Sequence, residues 1–467
     1  MNVTAETLSS ISVAALVTAM TTNDKQKSAY TLVVGLGITG LSVARYLISR
    51  GENIVVTDSR ENPPGLEAMR SVSPQTEIVL GEFDEALFMG AGRIIVSPGV
   101  STHEGVLQHA IQQGVEVIGD IELFAQQVNA PLLAITGSNG KSTVTTLLGE
   151  MAKASNVNVR VGGNLGTPAL DLLDDNAELY VLELSSFQLE TLHSLKPQAA
   201  VVLNVSPDHL DRYDSFESYA QAKQNIYHNC QHVVVNRDDP RVNAMQQGHQ
   251  QVTGFTLHEP AEGDYGLRSF DNEVWLCKGD RKIIRQGDVR LQGQHNIANV
   301  LAALAMAEAV GFAMDAVLHT VKTFAGLAHR TQFVAEKNEV SWVNDSKGTN
   351  VGATMAAIAG IEVKNRLILI AGGLAKDADF SSLRSVVADK VRSVVLMGKD
   401  APMIEQALQD VVPVWYARDM FDAVGIAAEI AHPGDTVLLS PACASFDMFN
   451  GYQQRGEVFV QAVEALI

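Results

Sequence analysis

Short apolar runs of four to six residues recur along the chain, and each ends in a cluster of glycine and polar residues. Tyr30–Val34, Asn53–Thr57, Arg93–Val96, Val115–Ile118, Pro131–Ile135, Leu179–Leu184 and Ala199–Asn204 follow this pattern. So do Val340–Val343, Leu367–Ala371, Val394–Met397 and Thr436–Leu439. Runs this short read as buried strands. Between them lie stretches with helical spacing, including Leu41–Arg50, Ile121–Val128, Ser215–Tyr227 and Ile297–Ala309. Strands alternating with helices predict an α/β protein with mostly parallel sheets. Residues 252–291 break the rhythm with short strands and turns, and read as a small β-rich insert.

The punctuation suggests boundaries near Gly119 and Leu327. The expected domains are 30–119, 120–326 and 327–467, preceded by a mobile extension over 1–29. Within that extension, Ile11–Met20 is mildly apolar, but Glu6 precedes it and no Lys or Arg does, which makes a poor signal peptide. Met20 is an alternative start. No apolar run reaches the ~18 residues that span a bilayer.

Length and composition narrow the partners. A chain of 467 residues with 46% hydrophobic and 19% charged residues suits a multidomain globular protein. The net charge of −19 disfavours nucleic acid and anionic membranes. Cys230, Cys277 and Cys443 form no CxxC, so a reducing cytoplasm is expected. The expected state is a cytoplasmic monomer acting on small molecules.

The strongest chemical signal is Gly137-Ser138-Asn139-Gly140-Lys141-Ser142-Thr143, set between a strand and an apolar-periodic helix. Glycines let backbone N–H groups approach phosphate oxygens, and the helix N-terminus adds positive potential. Lys141 can reach the outer phosphates and Ser142 can ligate Mg²⁺. The loop is shorter than the common eight-residue form, because Thr136 stands where that pattern has its first glycine. ATP is the expected ligand. A second glycine turn, Gly35-Leu36-Gly37-Ile38-Thr39-Gly40, precedes a helix, and Asp58 follows 18 residues later. That pattern seats a diphosphate and a sugar hydroxyl, as in a dinucleotide or a nucleotide sugar.

Other candidates sit at strand ends. Glu183 interrupts an apolar strand, and a buried carboxylate needs a cation or a donor; beside a phosphate loop Mg²⁺ is the natural cation. His209 follows the next strand. Lys223 falls on the apolar stripe of its helix, with Phe216, Tyr219, Ala220, Ile226 and Tyr227. Burial lowers a lysine's pKa and frees its amine for chemistry. Val161-Gly162-Gly163-Asn164-Leu165-Gly166 reads as a Gly-rich turn that brings backbone to a ligand, and Asn296 either contacts a base or caps its helix. In the last third, polar clusters follow strands at Asn344–Asn350, Gly372–Lys376 and Ser440–Asp447, the sheet edge where α/β ligands bind.

Taken in order, these motifs resemble the Mur ligases, ATP-dependent amide-forming enzymes of peptidoglycan precursor synthesis. The matches are Gly-Leu-Gly-Ile-Thr-Gly (35–40), Gly-Asp-Ile-Glu-Leu-Phe (119–124), Ile-Thr-Gly-Ser-Asn-Gly-Lys-Ser-Thr (135–143) and Leu-Glu-Leu-Ser-Ser-Phe-Gln-Leu-Glu (182–190). They continue with Asp-His-Leu-Asp-Arg-Tyr (208–213), Gly-Gln-His-Asn (293–296), Asn-Asp-Ser-Lys (344–347) and Ser-Pro-Ala-Cys-Ala-Ser (440–445). The resemblance implies Rossmann-like first and third domains around a P-loop ATPase-like centre. It also implies the branch that joins D-glutamate to UDP-N-acetylmuramoyl-L-alanine.

By that resemblance Ile38, Thr39, Asp58, Ser59, Arg60 and Asn164 meet the UDP substrate. The loop 137–143 holds ATP with Asn296, Arg330 and Asp345. Ser142, Glu183 and His209 match ligands of two Mg²⁺ ions, and Lys223 matches a lysine carbamylated to serve as another. Thr349, Lys376, Ser445 and Tyr452 match the D-glutamate side. Lys141, His209, Lys223, Lys347 and Lys376 match the catalytic set. The chain departs from the pattern at Leu374-Ala375, where the family has Asp-Gly, and at Phe446, where it has Leu. The alternatives are a sister Mur ligase or a folylpolyglutamate synthase-like ligase, an NAD-dependent oxidoreductase built on residues 35–58, and a non-catalytic nucleotide-binding protein.

Overall fold

The first apolar runs form parallel strands. The computed structural model describes residues 30–466 apart from Leu210, Asp211, Gln292, Glu362 and Asp377; the extension expected over 1–29 lies outside the described residues. The described chain divides into two compact units, one of 30–128 with 168–173 and 190–193, the other of 129–167, 174–189 and 194–466.

The first unit holds β1 (Thr31–Val34), β2 (Ile54–Asp58), β3 (Glu77–Leu80), β4 (Arg93–Val96) and β5 (Glu116–Gly119). They pair in parallel in the order β3-β2-β1-β4-β5. The order reverses beside β1, so a crevice is expected at the C-terminal ends of β1 and β4. The glycine turn leaves β1 there and opens α1 (Ile38–Ser49), three residues before the expected start at Leu41. Tight packing explains this: a Cβ at Gly40 would lie 1.8 Å from the Gly35 carbonyl oxygen, so only glycine lets the first turn close against the loop. β3 carries half-exposed apolar residues and gives no clear sequence signal.

The second unit holds two sheets. The larger contains β6 (Leu132–Thr136), β7 (Val159–Gly163), β8 (Leu179–Glu183), β9 (Ala199–Val202) and β10 (His232–Asn236). It continues with β11 (Val252–Phe255), β12 (Tyr265–Phe270), β13 (Glu273–Lys278) and β14 (Arg281–Arg285). Their order is β14-β13-β12-β11-β10-β9-β6-β8-β7. Strands β6 to β11 run parallel, and β12 to β14 form an antiparallel edge. Residues 252–291 are therefore an extension of the central sheet and not a separate insert. The turn expected over 161–166 begins later: Gly162 and Gly163 end β7, with Gly163 opposite Glu183 on β8, and the chain bends over 164–167.

α2 (Lys141–Ala154) covers β6 with Val144, Leu147, Leu148 and Met151. α3 (Phe216–Gln224) begins in a capping box between Ser215 and Ser218. α4 (Gln294–Ala309) buries residues all round, as its alanine-rich sequence suggests. It starts three residues before the expected Ile297, capped by Gly293, so Asn296 lies inside the first turn and is not the cap.

The other sheet has β15 (Gln332–Lys337), β16 (Val340–Asn344), β17 (Leu367–Ala371), β18 (Val391–Leu396), β19 (Val414–Tyr416) and β20 (Thr436–Leu439). Its order is β15-β16-β20-β17-β18-β19, parallel except for β15. α5 (Val351–Gly360) and α6 (Tyr452–Glu464) pack on it.

One buried hydroxyl joins two strands of the larger sheet. Tyr227 Oη accepts from Val202 N at 2.9 Å and donates to Val234 O at 2.7 Å. Tyr227→Phe is expected to remove both hydroxyl bonds and to destabilise the protein by about 1 kcal/mol or more, read from urea unfolding.

Candidate functional site

β6 lies between β8 and β9, so the loops leaving all three strands converge. The loop after β6 is the glycine loop. It is tied to the loop after β9: Ser138 N donates to Asn204 O at 2.9 Å and Asn139 N to Asn204 Oδ1 at 2.8 Å. Ser138 Oγ donates to Ser206 O and meets Tyr219 Oη at 2.9 Å. Gly140 has φ +85, and a Cβ there would fall 2.3 Å from Asn299 Oδ1. Both observations require glycine at the start of α2.

These loops line a cavity of about 780 Å³. Strand-end loops of β16, β17 and β20 complete it with Asp345, Lys347, Thr349, Lys376 and Ser445, and Tyr452 from the start of α6 joins them. Lys141 Nζ donates to Gly137 O at 2.8 Å and Ser138 O at 3.0 Å. Lys223 Nζ donates to the same Gly137 carbonyl at 3.0 Å, above the Tyr219 ring. Lys223 is 2% exposed, as its place on the apolar stripe predicts. Burial lowers the pKa of both amines; Lys223 falls well below the ordinary lysine value, pushed further by the Lys141 charge.

Glu183, at the end of β8, is buried. Its Oε1 accepts from Asn164 Nδ2 at 2.7 Å, while Oε2 is buried with no hydrogen-bond partner among the described residues. An unpaired buried carboxylate oxygen costs free energy that a cation would recover. This atom therefore fits a divalent ion beside the phosphate loop. His209 has φ +56 and packs edge-on against Phe187. Its amide donates to Asp208 Oδ1 at 3.0 Å, which helps hold that backbone. Among the described residues no group of three or more His, Cys, Asp or Glu is arranged to hold a metal.

Arg330 reaches the start of α2, where Nη2 donates to Ser142 Oγ at 2.7 Å. Burial lowers its pKa. Asp345 accepts from Thr331 N and from Ser440 Oγ, and burial pushes its carboxyl up to about 6. Lys347 sits 4.1 Å from the centre of the Tyr452 ring, and burial followed by the Arg330 and Lys141 charges brings it down to about 8. Asn296 lines the cavity and accepts from Asn299 Nδ2.

The structure thus brings Ser138–Thr143, Asn164, Glu183, His209, Lys223, Asn296, Arg330, Asp345, Lys347, Thr349, Lys376, Ser445 and Tyr452 around one space. Gly137 supports it through its carbonyl. Ile38, Thr39, Asp58, Ser59 and Arg60 belong to the other unit. There Asp58 is buried and already engaged: Leu36 N donates to Oδ2 at 2.6 Å, and Arg60 donates to both oxygens. Burial pushes this carboxyl up, but the Arg60 and Leu36 donors outweigh it and hold the pKa below the usual range. Ile38 is 73% exposed at the first turn of α1.

Sequence reasoning misses Asn204, Ser206 and Asp208 as supports of the glycine loop, and also Arg455. The Arg455 guanidinium is buried and donates to Ser346 O, Ser346 Oγ and Cys443 O, so it clamps two cavity loops together. Asn204 carried a signal, a polar residue at the end of a buried strand. Arg455 carried none.

Three family models match: "Mur ligase MurD-like, N-terminal domain" over residues 29–119, "Mur ligase middle domain" over 135–307, and "Mur ligase, glutamate ligase domain" over 329–443. The chain belongs to the Mur ligase family. A UDP-N-acetylmuramoylalanine--D-glutamate ligase of Nitrosococcus oceani is 50% identical over 443 residues, covering 95% of this chain and 98% of the relative. The protein of the same name from Pseudomonas aeruginosa is 49% identical over 439 residues, covering 94% and 98%. Solved Mur ligases share the fold. UDP-N-acetylmuramate-alanine ligase MurC of Thermotoga maritima has a TM-score of 0.58 at 18% identity, covering 93% of this chain and 99% of that one. MurF of Acinetobacter baumannii has a TM-score of 0.56 at 15% identity, covering 94% and 92%.

The Mur ligase glycine loop offers a direct structural test. Gly140→Ala must hold a left-handed residue and displace Asn299. The expected cost is about 1–2 kcal/mol from the backbone alone, measured by urea unfolding.

Proposed function

We propose that this Mur ligase joins D-glutamate to UDP-N-acetylmuramoyl-L-alanine, with ATP cleaved to ADP and phosphate. The observation that carries the reading is the single cavity in which a phosphate loop, a buried cation-seeking carboxylate and the lysines of a second sheet meet. The names of relatives about half identical over nearly their whole length support the same reaction. Residues 30–119 bind the UDP substrate, 120–326 bind ATP and 327–467 bind the amino acid. The chain acts as a monomer in the cytoplasm. No helix among the described residues is long and apolar enough to cross a membrane.

The reaction has two steps. The alanyl carboxylate oxygen attacks the γ-phosphorus of ATP; the bond to the β-phosphate oxygen breaks, and ADP leaves an acyl phosphate. The neutral amine of D-glutamate then attacks the acyl carbon, an amide forms, and phosphate departs as the amine loses its proton. Gly137 to Thr143 cradle the phosphates, and Lys141 exchanges its contacts with loop carbonyls for the phosphoryl oxygens. Asn296, Arg330 and Asp345 position the nucleotide. Anionic phosphates offer Arg330 a stronger partner than the Ser142 hydroxyl it now holds. Lys347, Thr349, Lys376, Ser445 and Tyr452 hold the glutamate and the departing phosphate. Ile38, Thr39, Asp58, Ser59, Arg60 and Asn164 position the UDP substrate.

Ser142, Glu183, His209 and a carbamylated Lys223 would hold two Mg²⁺ ions, which when bound neutralise phosphoryl charge. The depressed pKa of Lys223 supports the carbamate, because the neutral amine can add to CO₂, forming an N–C bond and releasing one proton. The product is an anion with oxygen donors, the ligand type that Mg²⁺ prefers.

Phosphate release from ATP should require the UDP substrate and D-glutamate. L-glutamate and diaminopimelate should not replace D-glutamate, and equal rates with diaminopimelate would indicate a sister ligase. Lys223→Ala should be nearly inactive and regain part of its rate in a small carboxylate such as formate; a fully active untreated variant would remove the carbamate. Lys347 is charged below about 8 and neutral above it. The kcat/KM for D-glutamate should therefore fall as pH rises through that value, and Lys347→Arg should move the fall to higher pH.

A further inference from the structure

Asn350 performs two separate tasks. Its Oδ1 accepts from Ala353 N at 2.8 Å, capping α5. Its Nδ2 points the other way, donating to Asp208 Oδ2 at 3.0 Å and reaching Asn139 Oδ1 at 3.4 Å. Asp208 uses its other oxygen to receive the His209 amide. Asn139 belongs to the glycine loop. One buried side chain thus spans the loop that carries Lys347 and Thr349, the loop that carries His209, and the phosphate cradle. The backbone approach is equally close: a Cβ at Gly352 would come within 3.0 Å of Ser206 Oγ and 3.6 Å of Asn139 Nδ2. α5 therefore begins directly against the ATP side of the cavity.

We propose that Asn350 is a positioning residue, a strut that sets the amino-acid side of the cavity at a fixed distance from the phosphoryl side. Such a strut matters because the two bond-forming steps use groups from different sheets. The amine of D-glutamate, held by Lys347 and Thr349, must meet the acyl carbon generated beside Gly137–Thr143. A small misplacement of one loop costs rate without abolishing the binding of any single substrate. The inference rests on the reaction proposed above.

The two tasks can be separated by substitution. Asn350→Ser keeps a capping oxygen and loses the long donor. Asn350→Asp keeps the cap and places a carboxylate beside Asp208, where the two repel. A carboxylate at a helix N-terminus is favourable but Asp208 repels it, so Tm is measured beside activity for both variants. At saturating ATP, UDP-N-acetylmuramoyl-L-alanine and D-glutamate, kcat should fall on the order of tenfold for Asn350→Ser and further for Asn350→Asp. The KM for ATP should stay near that of the unaltered chain in the Ser variant.

Wild-type kcat in both variants would overturn the strut. So would activity that simply tracks Tm across the variants, since a capping role alone gives that result. An Asp variant as active as the Ser variant would show that the contact with Asp208 is idle, and would also overturn it. Failure of the unaltered protein to release phosphate with D-glutamate would instead sink the proposed reaction, a distinct result.

Discussion

The site depends on the crowding of basic side chains in a buried space. Lys141, Lys223, Arg330 and Lys347 all face one cavity, and each has its pKa lowered first by burial. Water would solvate these groups far better than the carbonyls and hydroxyl they now touch. Lys141 and Lys223 share the single oxygen of Gly137. Glu183, Asp208 and Asp345 line the same cavity and offset part of that charge. In the proposed reaction a triphosphate and a dicarboxylate would offer these amines charge-assisted partners. The protein as a whole carries a charge of −19, so the positive potential is local and owes nothing to overall composition.

That concentration of charge is held by strand order. β6 sits between β8 and β9, so Lys141 on the loop after β6 is flanked by Glu183 at the end of β8 and by Asn204, Asp208 and His209 after β9. In the other sheet β20 lies between β16 and β17, which brings Asp345, Lys347, Lys376 and Ser445 to one edge. Parallel strands place all these loops at the same end of their sheets. The cores beneath, with Leu133, Ile135 and Val201 in one and Leu369, Val394 and Leu438 in the other, supply the rigidity that loops lack.

Much of this was legible in the sequence, for identifiable reasons. Buried parallel strands are continuous apolar runs, so Leu367–Ala371 and Thr436–Leu439 lie where their composition places them. Lys223 was legible because a charge on an apolar stripe breaks the period. Helix starts were less legible. α1 and α4 each begin three residues early, straight after Gly37 and Gly293, and backbone geometry leaves little trace in hydrophobic periodicity. The strands of 252–291 were visible, but their membership of the central sheet was not, since pairing between distant segments has no local signature. Asp58 shows another limit. Its spacing from the glycine turn suggested a sugar contact, yet its oxygens are already filled by Leu36 and Arg60. In this arrangement it shapes the turn first, and a sugar hydroxyl would have to share or displace those donors.

The residues that escaped sequence reasoning are mostly those that hold other residues in place. Asn204 fixes the glycine loop, Arg455 clamps Ser346 to Cys443, and Asn350 ties α5 to Asp208. Each is a polar side chain whose partners are backbone atoms or a residue far along the chain. A motif records groups that meet a ligand, because ligand chemistry dictates their type and spacing. Supporting contacts are dictated by tertiary geometry, which any donor of the right length can satisfy. They nevertheless decide the distance between reacting atoms, and an acyl transfer between groups on separate sheets depends on that distance as strongly as on the identity of the groups.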